Sequence, residues 1–155
     1  MDWNRTVVTQ NAKETQKLGQ ELAASLMEKK EGSILYLSGE LGSGKTTFLQ
    51  GFAQGLGITT RLLSPTFIIV RRYDIPKQKR FFYHIDLYRV NEDTILENLG
   101  LSDIFADTNS IIAVEWPERL GNYISREKLN VTFEVMGEKE RRVTFVRPGT
   151  KNINE

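Results

Sequence analysis

At 155 residues, with 39% hydrophobic and 26% charged residues, the chain has the composition of a soluble globular protein long enough to bury a core. It contains no cysteine, which excludes disulfides, thiolate metal sites and cysteine catalysis, and its formal net charge of +1 gives no general drive toward nucleic acid. No run approaches the ~20 apolar residues of a membrane span and the polar stretch from Met1 to Lys13 has no signal-peptide core, so one cytoplasmic domain over residues 1–155, with no membrane partner, is expected.

The first predicted element is a helix. Asn11 reads as its N-cap with Glu14 reaching back. Leu18, Leu22 and Leu26 recur at helical spacing, with Thr15 and Ala23 near the same face. Lys29, Lys30, Glu31 and Gly32 end it, basic residues suiting the negative end of the dipole. Residues 34–37, Ile-Leu-Tyr-Leu, then read as a short buried strand.

Directly after that strand, residues 39–46 read Gly-Glu-Leu-Gly-Ser-Gly-Lys-Thr and fit the phosphate-loop pattern G-x-x-x-x-G-K-[ST] at every fixed position. Gly39 ends the strand, and Gly42 and Gly44 let the backbone curl so that consecutive N–H groups face phosphate oxygens. Lys45 adds a cation near the β- and γ-phosphates, and the Thr46 hydroxyl can sit on magnesium. Residues 48, 49, 52, 53 and 56 carry the helical spacing that follows, stopped by Gly57 as a left-handed cap. Strand, loop and helix thus come in the order a triphosphate site requires, with the helix N-terminus pointing at the anion. The expected nucleotide contacts are Gly39, Leu41, Gly42, Ser43, Gly44, Lys45, Thr46 and Thr47. Glu40 is expected to face solvent, because only backbone lines such a cradle.

Beyond Gly57, Ser64-Pro65-Thr66 introduces a strand over residues 67–70. A turn over 75–79 leads to a second strand over 80–88, and the two predict an antiparallel hairpin in an otherwise α/β pattern. Residues 92–105 read as one or two short helices broken by Gly100, with Ser102 as a second N-cap. Residues 111–116 form another buried strand, stopped by Pro117. Residues 130–136 and 141–147 alternate around a turn at 137–140. The basic clusters Arg71-Arg72, Lys77 to Arg80 and Arg141-Arg142 read as solvated turns.

Hydrolysis needs a magnesium-holding acid and a group that orients water. Glu115 and Asp86 each follow an apolar strand, where an α/β sheet presents its ligands. One assignment puts Glu115 on magnesium beside Thr46 and Asp86 on the water; spacing alone permits the reverse. Thr66 is the candidate reporter of the γ-phosphate, in the segment where nucleotide switches place a hydroxyl. His84, the only histidine, shares Asp86's side of its strand and reads as a structural hydrogen-bonding residue. Trp116 reads either as core or as a brace behind Glu115. No N-K-x-D guanine-reading motif occurs, which leaves adenine as the expected base, with the first helix and the C-terminal hairpin turn as candidate walls.

Four blocks, Gly39 to Thr47, Ser64-Pro65-Thr66-Phe67, His84-Ile85-Asp86-Leu87-Tyr88-Arg89 and Val114-Glu115-Trp116-Pro117, resemble in order and spacing the bacterial TsaE family. Glu14-Thr15, Leu18-Gly19 and Leu99-Gly100-Leu101 are similar to it as well. The resemblance implies an α/β fold, a P-loop NTPase-type three-layer sandwich whose mixed sheet includes an antiparallel hairpin. It implies a small cytoplasmic ATPase, slow alone, that uses ATP and Mg2+ and supports threonylcarbamoyladenosine modification of tRNA through a TsaD–TsaB pair, meeting tRNA indirectly or weakly. By the same similarity Thr46 and Glu115 hold magnesium, Lys45 the phosphates, Asp86 is essential for hydrolysis, and Ala12 and Glu138 touch the nucleotide. Two other readings use the same loop. One is a small-molecule kinase, with Arg71, Arg72 and Arg89 neutralising the transferred phosphoryl group, and the other is a nucleotide-gated binding module driven by ordering of residues 58–66.

Overall fold

Period-two alternation sorts each central strand between two helical layers. The computed structural model describes residues 3–29, 32–62, 69–91, 93–123 and 127–147. Its strands are β1 (Arg5–Thr9), β2 (Ser33–Ser38), β3 (Val70–Asp74), β4 (Phe81–Asp86), β5 (Ile111–Glu115), β6 (Leu129–Val135) and β7 (Arg141–Val146). Its helices are α1 (Ala12–Met27), α2 (Lys45–Gly55) and α3 (Leu101–Ala106), with 3₁₀ turns at Leu96–Leu99 and Pro117–Leu120. The strands form one sheet in the order β1-β7-β6-β2-β5-β4-β3. β2 runs parallel to both β5 and β6, and β4 parallel to β5, while β3 and β7 run antiparallel to their neighbours.

On β2, Leu35 and Leu37 enter the core under α1 and α2, whereas Ile34 and Tyr36 enter the core under α3. β5 divides the same way, Ile111 and Ala113 against Ile112 and Val114. Because both faces are covered, β2 and β5 are apolar on both sides, as parallel strands require. The α/β sandwich with a mixed sheet is therefore as expected, and β3–β4 is the expected antiparallel hairpin, at one edge.

The first helix is capped by Asn11, whose side chain accepts from the Glu14 N–H at 2.9 Å. Glu14 reaches back one residue further than expected, accepting from the Gln10 N–H at 3.0 Å. Thr15, Leu18, Leu22, Ala23 and Leu26 are all buried. Three differences stand out. Residues 5–9, read only as part of a polar stretch, form β1, paired with β7. The α3 cap is Gly100 in the left-handed region at φ 71°; Ser102 lies inside the helix, its hydroxyl 2.7 Å from that of Tyr123, so it is not an N-cap. Lys29 falls beyond the end of α1, so no basic residue occupies its last turn. The predicted 67–70 strand lies outside the described residues except for Ile69 and Val70, of which Val70 opens β3.

α1 and α2 pack backbone to backbone. A Cβ on Gly51 would stand 1.8 Å from the Gln16 carbonyl oxygen, and one on Gly19 would stand 2.1 Å from that of Phe48. This contact sets the seat of α2 and hence the loop before it. Gly51→Ala is expected to cost about 1–3 kcal/mol through overpacking, read as a lowered urea midpoint. An unchanged midpoint would show that the helices can part freely.

Candidate functional site

The parallel strands β2, β4 and β5 end together, so whatever follows or closes them shares one edge of the sheet. β2 runs into the loop over 39–44, which leads straight into α2. Gly42 and Gly44 sit in the left-handed region, at φ 79° and 105°, where a side chain would be strained. Gly44 is the N-cap and supplies no side-chain acceptor, so the first N–H groups of α2 remain open toward the cleft. Gly39 is needed for close approach, since a Cβ there would lie 2.7 Å from Ser43 Oγ and 2.8 Å from the Phe133 carbonyl oxygen. Lys45 is buried; its Nζ donates to the Gly39 carbonyl at 2.6 Å and stands 4.7 Å from the centre of the Trp116 ring.

Asp86 and Glu115 close adjacent parallel strands and are register partners. Asp86 follows Phe82 and His84 on one side of β4, and Glu115 follows Ile111 and Ala113 on the same face of the sheet, toward α2. Both acids are buried. Burial pushes the Asp86 carboxyl above its ordinary range, and the neighbouring Glu115 charge pushes the same way, against the opposing pull of the Tyr88 N–H, His84 and Lys45. Asp86 Oδ1 accepts from that Tyr88 N–H at 3.0 Å. His84 Nε2 lies 2.7 Å from Glu115 Oε2. Trp116, next to Glu115, is a non-glycine residue at φ 60°, a strain that a site rather than a core usually carries. Its half-buried ring stacks obliquely on Tyr88 at 5.3 Å.

Most of these groups line a cleft of about 830 Å3. Leu41, Gly42, Gly44, Lys45, Thr46 and Thr47 edge it from the loop, Asp86 and Glu115 from the strand ends, and Ala12 and Glu138 from α1 and the 137–140 turn. Gly39 and Ser43 do not line it. Gly39 instead serves through its carbonyl, and Ser43 is buried with an Oγ that has no partner among the described residues. Glu40 is exposed. Thr66, with Ser64 and Pro65, lies outside the described residues.

The 137–140 turn is a wall of the cleft, as expected, but it brings with it Arg141, which the sequence reading placed in a solvated basic cluster. Arg141 donates from Nη1 to the Gly137, Glu138 and Glu140 carbonyls at 3.0, 3.4 and 3.0 Å, and from Nη2 to the Gly42 carbonyl at 3.2 Å. One guanidinium thereby ties the last hairpin to the glycine loop. The only sequence cue was its position at the start of a strand opposite an acidic turn.

A buried cation, an uncapped helix N-terminus and two acids on one wall match the demands of a phosphate chain carrying a hard cation. Among the described residues no three His, Cys, Asp or Glu side chains cluster as a metal cage. Magnesium suits such a site, since it takes one or two carboxylates and completes its shell with phosphate and water.

A family model described as "Threonylcarbamoyl adenosine biosynthesis protein TsaE" matches residues 9–143. The chain is similar to the tRNA threonylcarbamoyladenosine biosynthesis protein TsaE of Bacillus subtilis, 37% identical over 146 residues that cover 92% of this chain and 85% of that one. It is similar also to the protein of the same description from Borreliella burgdorferi, 46% identical over 107 residues, 68% of this chain and 76% of that one. A crystal structure of Bacillus subtilis YdiB superposes with a TM-score of 0.74 at 33% identity, covering 94% of this chain and 86% of that one.

Proposed function

The chain belongs to the TsaE family, and on that premise we propose that it is a magnesium-dependent ATPase serving threonylcarbamoyladenosine formation in tRNA. The observation that carries this reading is the meeting of Lys45, the open α2 N-terminus and the register pair Asp86–Glu115 in one cleft. Lys45 would leave the Gly39 carbonyl for the β- and γ-phosphate oxygens, while the N–H groups of 42–47 close around them. Thr46 and Glu115 would hold magnesium, which supplies neutralising charge at the phosphates. Asp86 would orient the attacking water and take its proton as the β–γ phosphoanhydride breaks. Its upward-shifted carboxyl suits a base better than an ordinary aspartate. Ala12 and Glu138 would face the nucleoside end, and Thr66 would report the γ-phosphate.

Among the described residues none of Arg71, Arg72 and Arg89 lines the cleft, which favours an energy-coupling accessory over a kinase. The partner proposed is a TsaD–TsaB pair in the cytoplasm, with tRNA met through that pair, and residues 1–155 acting as one domain. No helix among the described residues is long and apolar enough to cross a membrane. The test is phosphate release from ATP and magnesium, measured with and without the pair. Slow release alone, stimulated severalfold by the pair, is the expected result. Transfer of the γ-phosphoryl group to a metabolite, or binding without turnover under both conditions, would overturn it.

A further inference from the structure

His84 is buried beneath the two acids, its Nδ1 has no partner among the described residues, and its Nε2 meets Glu115 Oε2 at 2.7 Å. A carboxylate can only accept, so Nε2 carries the proton. The ring is thus set as a one-directional donor aimed at a single oxygen of Glu115.

That aim matters because of what else lies within reach. Lys45 is close enough for its charge to pull on the Asp86 carboxyl, yet it forms no ion pair within 4.0 Å with either acid among the described residues. Its Nζ is directed to the Gly39 carbonyl and the Trp116 ring instead. A Lys45–Glu115 pair in this buried setting would neutralise the cation meant for phosphate and the acid meant for magnesium together.

We propose that His84 is a positioning residue that commits Glu115 Oε2, keeping that carboxylate turned away from Lys45 and presenting Oε1 to the metal side of the cleft. The inference rests on the assignment of Glu115 to magnesium. Outer partners of metal-holding acids typically change metal affinity by about 10–100-fold when removed.

Three variants separate the outcomes. His84→Gln can place an amide donor near the position of Nε2, His84→Asn places its amide near Nδ1, and Glu115→Gln tests the underlying assignment. Binding of a non-hydrolysable ATP analogue is followed by calorimetry across a magnesium titration, with melting temperatures measured in parallel. Expected is about a tenfold rise in the magnesium needed for half-maximal binding in His84→Asn, and recovery to within about threefold of wild type in His84→Gln. If Glu115→Gln moves the titration and His84→Asn does not, the inference fails while the magnesium role of Glu115 stands. Should Glu115→Gln leave the titration where it was, the assignment itself falls, and the inference with it. Equal shifts in His84→Asn and His84→Gln would overturn the positioning role, because a donor at Nε2 would then be irrelevant. Should His84→Asn not fold, His84→Leu replaces it, filling the space without a donor.

Discussion

Asp86→Asn is expected to keep nucleotide affinity within about threefold while lowering the rate of ATP hydrolysis by about 10²–10⁴-fold, the range a positioned general base contributes. The substitution is nearly isosteric, and Oδ1 of the amide can still accept the Tyr88 N–H that holds the side chain. What it removes is the negative charge and the capacity to take a proton. The nucleotide-free protein should at the same time become more stable. The folded Asp86 carboxyl titrates above its unfolded value, mainly because burial disfavours the charge. The stability it contributes is therefore present below the unfolded pKa and is lost as pH rises through the folded one. Near neutral pH the wild type carries the cost of the buried anion and the amide does not. A melting-temperature difference that favours the variant, growing from acid to neutral pH, is the expected signature. About 2–4 °C accompanies each kcal/mol relieved at this chain length. Equal loss of binding and turnover would show that Asp86 holds the ligand rather than activating water. A difference that shrank with rising pH would contradict the direction of the shift.

Lys45→Met is expected to weaken binding of an ATP analogue by about 10–100-fold, the range for a charge-assisted hydrogen bond left unmade. Methionine retains most of the apolar stem packed near Trp116 and removes the Nζ donor. The effect should fall on triphosphate far more than on adenosine, because the cation faces the phosphate end. Calorimetry with both ligands checks this, and equal losses for the two would place Lys45 away from the phosphates. The variant should melt close to wild type, since among the described residues Nζ hydrogen-bonds only the Gly39 carbonyl and otherwise faces the Trp116 ring.

The glycine loop was legible from sequence because its requirements are local: Gly42 and Gly44 need their left-handed backbones whatever surrounds them. The acids were legible for a related reason, as apolar runs in parallel strands must end at a common edge, and Asp86 and Glu115 close two of them. The first strand was not. Residues 5–9 alternate only weakly, and what makes them a strand is pairing with β7 across nearly the whole chain. Ser102 has the chemistry of a cap, yet Gly100 supplies the left-handed turn and starts the helix two residues earlier. Arg141 could not be read as part of the site, because its partners are backbone carbonyls, which no side-chain pattern announces.

The tie from Arg141 to Gly42 also has a place in time. The two residues are separated by 99 positions, and a ribosome adds about 5–20 residues per second. For several seconds, then, a nascent chain carries its glycine loop without the strand that secures it. A translating polypeptide halted before the final hairpin would therefore carry a glycine loop that lacks its Arg141 tie.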